Sequence, residues 1–374
     1  MNHIEGHLLT PNGFLSGSMD IDQEGRIALV TGTPVPEDQV RQSRTPILLP
    51  GCIDLHVHGG ADHDIMEGGE AAFHVARFHA RHGTTAMAAT TMTAPPEDLD
   101  AAFRGLAPYV RQRPMGGARI LGVHLEGPYL NPARLGAQPD HARPLAMEEV
   151  RALHAIAPIL LLTLAPELAA NREAIKGLVA AGIRVQVGHT QGTYEEALEA
   201  LDLGATGFTH LFNAMPGLHH RNPGVVGAAL AKAQFAEIIP DLLHVHPGAI
   251  LAALRAIPGL YCVTDSTAAA GMPDGDYQLG SHRVIKCLGG VRLADGTLAG
   301  SALTMDQALR NLVDTLGLSL REASRCVATH AADHLGLRDR GRFAVGAWAD
   351  VLVLDRDLNL TGVLVEGERL DPNA

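Results

Sequence analysis

The sequence predicts an α/β fold, a (β/α)8 TIM-type barrel carrying a small β-sandwich-like domain formed by both chain ends. Three observations predict it. Short apolar runs alternate with helix-patterned segments through the middle of the 374-residue chain. Eight such units over somewhat more than ~250 residues match the size of a barrel of this type. The two ends read differently, as short alternating segments separated by turn residues.

Each element follows from its local pattern. Residues 8–50 contain FLSGSMDID and RIALVTG, which alternate as half-buried strands do. Barrel strands are predicted at 53–58 (IDLHVH), 84–91 (TTAMAATT), 119–126 (RILGVHLE), 159–165 (ILLLTLA), 184–189 (RVQVGH), 207–212 (GFTHLF), 236–245 (AEIIPDLLHV) and 260–265 (LYCVTD). Runs this continuously apolar suit parallel strands covered on both faces. Segments 70–82, 96–113, 147–157, 170–181, 193–203 and 247–256 carry Ala, Leu and Glu at helical spacing and supply the crossovers. Pro240 interrupts the seventh run and makes it the weakest strand. Residues 343–370 return to alternation, with FAVGAWADVLVLD and LTGVLVEGERL. The expected division is 1–50 with 336–374 for the discontinuous β-domain and 51–335 for the barrel.

Composition narrows the function. A net charge of −12 argues against a nucleic-acid partner or an anionic membrane surface, both of which need clustered Lys and Arg. It leaves room for an anionic small molecule held by a local Arg. No stretch approaches the ~18 apolar residues of a membrane span. The N-terminus MNHIEGHLLTPNG lacks the pattern of a signal peptide. Cys52, Cys262, Cys287 and Cys326 form no C-x-x-C pair and read as buried free thiols of a cytoplasmic protein.

Polar residues collect at the strand ends. His56 and His58 close the first strand, Glu126 the third, His189 the fifth and Asp265 the eighth, while His210 lies near the end of the sixth. The C-terminal ends of barrel strands converge on one mouth, where the active sites of such barrels lie. Alternation puts both imidazoles of His56-x-His58 on the same, interior face. Imidazole nitrogen and carboxylate oxygen are the ligands Zn2+ or Fe2+ accepts. A single His in a chain with 20 of them is most simply a structural residue, as His74, His79 and His154 are expected to be. Four His and two carboxylates at five strand ends point instead to a divalent-metal site. Asp265 would act there as general acid/base. Its plainer reading is an N-cap for STAAAG.

Taken together, these motifs resemble the amidohydrolase superfamily, and within it the N-acetylglucosamine-6-phosphate deacetylases. The resemblance runs through PGCIDLHVHGG (50–60), GVHLEGPYLNP (122–132), VGHT (187–190), THLFNAM (209–215), LHHRNPG (218–224), HVHP (244–247), VTDS (263–266), GTLAGSALTM (296–305) and GRFAVGAWADVLVLD (341–355). It implies a metal site of Glu126, His189 and His210, with Asp265 as general acid/base. His56 and His58 would hold a second metal, bridged by Glu126, so one or two ions per subunit are expected. It further implies a phosphate held by the backbone of Asn213 and Ala214 and by His220 and Arg221 of the neighbouring subunit of a homodimer with shared active sites. His244 would touch the sugar of a small-molecule amino-sugar phosphate.

The chain departs from the family pattern at Asn222, where many relatives have Glu, at Leu242, where many have Gly, and at Ser266, where Ala is common. Gln138 stands in Gly136-Ala137-Gln138, where some members have a His that polarises the carbonyl. The expected reaction is hydrolysis of N-acetylglucosamine 6-phosphate to glucosamine 6-phosphate and acetate. The rival readings are the galactosamine epimer, a cyclic amide, or a sugar-phosphate sensor without catalysis.

Overall fold

The computed structural model describes residues 2–370. Eight parallel strands form the barrel: Cys52–Val57, Thr84–Thr91, Arg119–Glu126, Ile159–Leu164, Arg184–Val187, Gly207–Phe208, Phe235–Ile238 and Gly259–Cys262. The first six make one sheet in sequential order, and the last two pair with each other. The ring closes where Val57 bridges Ser266 in parallel, with the Asp265 amide donating to the His56 carbonyl at 2.9 Å. On the other side the Leu211 amide donates to the Glu237 carbonyl at 2.9 Å.

The strands are apolar on both faces because both faces are covered. All eight residues of Thr84–Thr91 are buried. The helix Ala71–Arg81 turns Ala72, Val75, Ala76 and Phe78 onto this layer, a spacing that makes one apolar stripe. Helix starts follow local chemistry. Thr193 and Glu196 form a capping box before Tyr194–Asp202, and Ser319 and Glu322 form another before Leu320–Ser324. Pro96 and Pro247 occupy first helical positions, where a missing N–H costs nothing.

Five predicted strands are longer than the observed ones. The fourth ends one residue early, at Leu164, and the eighth ends at Cys262, three residues before its predicted end. The seventh ends at Ile238, ahead of Pro240, and the segment 239–245 is loop. The fifth ends at Val187 and the sixth at Phe208. The reason is the backbone beyond them: His189, His210 and Phe212 have φ of 47°, 29° and 83°, outside the β region. Gly188 sits where the chain crowds its neighbours, since a Cβ there would lie 2.7 Å from the Thr209 Cβ. The sequence pattern also gave no sign of the hairpin sheet Gly275–Leu279, His282–Cys287 and Gly290–Arg292 beside the barrel mouth, or of the helix Gly224–Lys232.

Both chain ends meet in one seven-stranded sheet. Its order runs Glu368–Leu370, Leu360–Val365, Val351–Leu354, Ile47–Pro50, Asn2–Thr10, Gly13–Ile21, Ile27–Pro34. It encloses a small core of its own, including Leu8, Met19, Ile27, Phe343 and Val351. Cys52, Cys262 and Cys326 are buried free thiols and Cys287 is half-buried. Among the described residues no helix is long and apolar enough to cross a membrane.

Candidate active site

The strand ends deliver their side chains into one cavity of about 330 Å³, lined among others by His58, Glu126, His189, His210, His244 and Asp265. Glu126 is the centre. Its Oε1 lies 3.1 Å from His189 Nε2 and 3.0 Å from His210 Nε2. Its Oε2 lies 3.1 Å from His58 Nε2 and 3.4 Å from His56 Nε2. Asp265 Oδ1 faces the same pair, at 3.3 Å from His58 and 3.5 Å from His56. Two donor groups result, Glu126–His189–His210 and His56–His58–Asp265.

The chemistry of these donors fits divalent cations. His58 Nδ1 donates to the Thr90 carbonyl at 3.2 Å and His189 Nδ1 to the Arg134 carbonyl at 2.8 Å. A carbonyl only accepts, so each Nδ1 carries the proton and each neutral ring turns a bare lone pair on Nε2 toward its neighbours. His189 and His210 then point Nε2 atoms at each other across 3.1 Å, and His56 and His58 across 3.2 Å. Such pairs repel unless a cation or a proton lies between them. The field favours positive charge: burial works to lower the His58 pKa, but the Asp265 and Glu126 carboxylates outweigh it and push it up to about 9. Burial would raise Asp265, yet the imidazoles of His56, His58 and His210 hold it at about 2, so it is a carboxylate at neutral pH.

A third group, His56–His124–Glu237, gathers beside these two. There both His124 nitrogens are engaged, by the Leu55 carbonyl at 2.9 Å and Thr163 Oγ1 at 2.8 Å. Burial holds His124 neutral, its pKa pushed down to about 4. This group braces the site from below.

Backbone strain aims several of these residues. His189, His210, Ala214 and Asp265 all have φ between 29° and 52°. Non-glycine residues in this region cost on the order of 1–3 kcal/mol each. The turn after each strand swings the side chain into the mouth.

The remaining predicted residues divide. Gln138, Asn213, Ala214 and His244 line the cavity. His244 Nδ1 pairs with Asp241 Oδ2 at 2.7 Å, and although burial opposes it, this carboxylate raises the imidazole pKa. The Asn213 amide closes a turn onto the His210 carbonyl at 3.0 Å, while among the described residues the Ala214 amide has no acceptor. His220 and Arg221 do not join them. They are exposed and lie outside the cavity lining, with Arg221 Nη1 donating to His220 Nε2 at 2.9 Å.

Sequence reasoning missed Asp54, His124 and Glu237, all fully buried beneath the metal donors. Asp54 accepts from Thr264 Oγ1 at 2.6 Å and from the His56 amide at 3.3 Å, tying the first strand to the eighth. The signal was strand alternation. Asp54 precedes His56 by two residues and His124 precedes Glu126 by two, so each shares the inward face.

The fold and site agree with what the chain is similar to. The amidohydrolase family matches residues 47–370. An N-acetylgalactosamine-6-phosphate deacetylase of Escherichia coli O157:H7 is 38% identical over 98% of this chain and 99% of its own length. An N-acetylglucosamine-6-phosphate deacetylase of Lysinibacillus sphaericus is 38% identical over 86% of this chain and 84% of its own. Among solved structures, a variant of N-acetyl-D-glucosamine-6-phosphate deacetylase from Mycobacterium smegmatis, in complex with N-acetyl-D-glucosamine-6-phosphate, superposes with a TM-score of 0.89 at 34% identity, covering 99% of both chains. The chain therefore belongs to the amidohydrolase family and, within it, to the N-acetylglucosamine-6-phosphate deacetylases.

Proposed function

We propose that this enzyme hydrolyses the acetamide of N-acetyl-D-glucosamine 6-phosphate, releasing D-glucosamine 6-phosphate and acetate in amino-sugar breakdown or recycling. The observation that carries the reading is the Asp265 carboxylate facing the His56–His58 pair across from the Glu126–His189–His210 group, in a cavity large enough for a sugar phosphate. Glu126, His189 and His210 would hold one divalent cation, Zn2+ or Fe2+, and His56, His58 and Asp265 a second. When bound, such a cation polarises the amide carbonyl and makes water a better nucleophile near neutral pH.

The rest is the work of this chain's side chains. Asp265, ionised in its pocket, accepts a proton from the attacking water and returns it to the departing amine nitrogen. Gln138 keeps one Nε2 hydrogen on Glu126 Oε2, at 2.6 Å, and turns the other to the acetamide oxygen. His244, braced by Asp241, meets the sugar. The free Ala214 amide receives the phosphate, and the adjoining Asn213 amide joins it by turning from the His210 carbonyl. His220 and Arg221 reach it from the neighbouring subunit of a homodimer. Their exposure, and their absence from the lining of their own cavity, support that arrangement. Arg suits the role because its planar fork gives two bonds to phosphate oxygens. The barrel, 51–335, carries the chemistry, and the discontinuous β-domain, 1–50 with 336–374, braces it. Free buried thiols fit a reducing cytoplasm.

A second reading concerns the epimer. The similarity to the N-acetylgalactosamine-6-phosphate deacetylase extends over nearly the whole of both chains. The test is acetate release by metal-quantified protein from N-acetylglucosamine 6-phosphate, its unphosphorylated form, and N-acetylgalactosamine 6-phosphate. Release confined to the phosphorylated glucosamine supports the proposal. Faster release from the galactosamine compound would replace the substrate. Release from the unphosphorylated sugar alone would remove the phosphate site.

A further inference from the structure

A cavity of about 260 Å³ opens on the seam between the end sheet and the barrel. It shares no lining residue with the catalytic mouth. Pro50, on its wall, ends the strand Ile47–Pro50 just ahead of the first barrel strand, Cys52–Val57. The cavity therefore lies at the N-terminal end of that strand, with His56 and His58 at the other end. Its polar wall is cationic. Arg321, Arg325 and Arg342 line it and no carboxylate does, in a chain whose net charge is −12.

Arg342 pairs with Asp333 and donates to the Arg340 carbonyl at 3.3 Å. Arg321 and Arg325 have neither an ion pair nor a side-chain hydrogen bond among the described residues. Glu37 accepts from the Leu320 and Arg321 backbone amides rather than from a guanidinium. With Ser324, the two Arg stand on one face of the helical run 320–335, at i, i+3 and i+4. Like charges at that spacing repel. Arg321 also reaches the end sheet, since its Nη2 would lie 3.1 Å from a Cβ at Gly13. Ser324 is only 1% exposed and lines the same cavity. Among the described residues its hydroxyl has no hydrogen-bond partner, and a buried hydroxyl left so is costly.

We infer that this seam cavity is an anion site separate from the catalytic mouth, that it takes a small phosphate monoester, and that its occupant fastens the end sheet to the barrel. Two unpaired guanidinium forks and one free hydroxyl offer only donors to share, and phosphate oxygens are the acceptors that match a planar fork. The anion also relieves the repulsion between Arg321 and Arg325. The facing wall is apolar, built from Leu9, Pro11, Pro50 and Phe343, and suits the organic body of a monoester. That body is small, because the volume falls below the ~300 Å³ at which pockets for drug-sized ligands begin. Binding here stabilises the folded chain by mass action and leaves the chemistry untouched. The inference uses neither the metal donors nor the hydrolase reading.

The experiment is calorimetric titration of glucosamine 6-phosphate, and separately of inorganic phosphate, into wild type and the double variant Arg321→Gln/Arg325→Gln, with thermal midpoints measured alongside. Both replaced side chains are exposed, so the variant should fold and keep the wild-type rate of acetate release. The catalytic mouth is the same in both proteins, and the difference between them reads the seam alone. Wild type is expected to show one more site per subunit, which the variant holds about 10–100-fold more weakly. The wild-type midpoint should also climb more steeply with the sugar phosphate. Equal stoichiometry and affinity in the two proteins overturn the inference. A difference seen with inorganic phosphate but not with the sugar phosphate overturns the monoester. A wild-type midpoint that climbs as much in potassium chloride of matched ionic strength shows screening rather than a site, and overturns it too.

Discussion

The carboxamide of Gln138 is clamped at both ends, its Oε1 accepting from the Thr93 amide at 2.7 Å and its Nε2 donating to Glu126 Oε2 at 2.6 Å. One hydrogen of the same Nε2 remains for the cavity. Replacing Gln138 with Leu should therefore loosen Glu126 and remove a donor to the acetamide oxygen together. A loss of about 10²–10³ in kcat, the usual effect of removing one such donor, is expected. KM should change little, because the bond strengthens as charge develops on the oxygen. Steady-state kinetics would separate the two, and a pure rise in KM would mean that Gln138 only binds the ground state.

Asp265→Asn should keep the fold and the cation held by Glu126, His189 and His210 while losing about 10²–10⁴ in turnover, the range for general acid–base catalysis. The backbone favours this variant, since Asp265 has φ of 51° and Asn tolerates that region well. Metal content, thermal midpoint and kcat measured on one preparation would decide. Full activity would show that the proton goes elsewhere.

Arg221→Ala should raise KM for the phosphorylated sugar by about 10–100-fold, the equivalent of a charged hydrogen bond worth about 1.5–3 kcal/mol. Stability should be unaffected, because Arg221 is exposed. Unchanged kinetics would remove the phosphate role and favour an unphosphorylated substrate such as a cyclic amide.

Acid should weaken the fold through two buried histidines outside the metal-donor set. Burial pushes the His79 pKa from its ordinary 6.5 down to about 4, and that of His334 down to about 3. Between 6.5 and those values the unfolded chain binds protons that the folded chain refuses, so stability falls as pH falls. Each group contributes about 1.4 kcal/mol per pH unit across its window. Urea midpoints measured from pH 7 to pH 4 should drop, and the drop should be shallower in His334→Gln. Midpoints independent of pH would mean that both rings are protonated in the folded chain.

Arg340 joins the Asp350 and Glu366 carboxylates where the end sheet meets the barrel, and Arg119 of the third barrel strand holds Glu366 through two bonds of 2.8 Å. Arg340 and Asp350 are buried. Arg340→Met would strand the Asp350 carboxylate, while Arg119 still holds Glu366, and should cost about 3–5 kcal/mol. Calorimetry should show a lower thermal midpoint with kcat unchanged at permissive temperature. An unaltered midpoint would show that solvent already carries these charges.

Much of the barrel was legible because its strands are unlike their surroundings. Thr84–Thr91 and Arg119–Glu126 start and stop where the apolar pattern does. The strand ends that carry function were the least legible. At His189, His210 and Asp265 the backbone leaves the β region, and apolar periodicity does not register φ. Glu237 escaped notice because one carboxylate in an apolar run resembles an outward-facing residue. Its meaning appears only when strands five, six and eight bring Gln186, the His210 amide and Tyr261 around it. Arg221 was legible as a motif but not as a position, because its own cavity does not contain it.

The end sheet sets the order in which the molecule can be finished. Ile47–Pro50 pairs with Asn2–Thr10 on one side and Val351–Leu354 on the other. During synthesis the first of these neighbours is available at once, and the second only after some three hundred further residues. Until then the apolar strand Ile47–Pro50, buried in the finished molecule, presents an open edge to other nascent chains. Pairing across such a separation is also slow, because a long loop must close first. Yield during expression should thus depend on how well that edge is shielded while the barrel is being made, and slower synthesis at lower temperature should favour closure over aggregation.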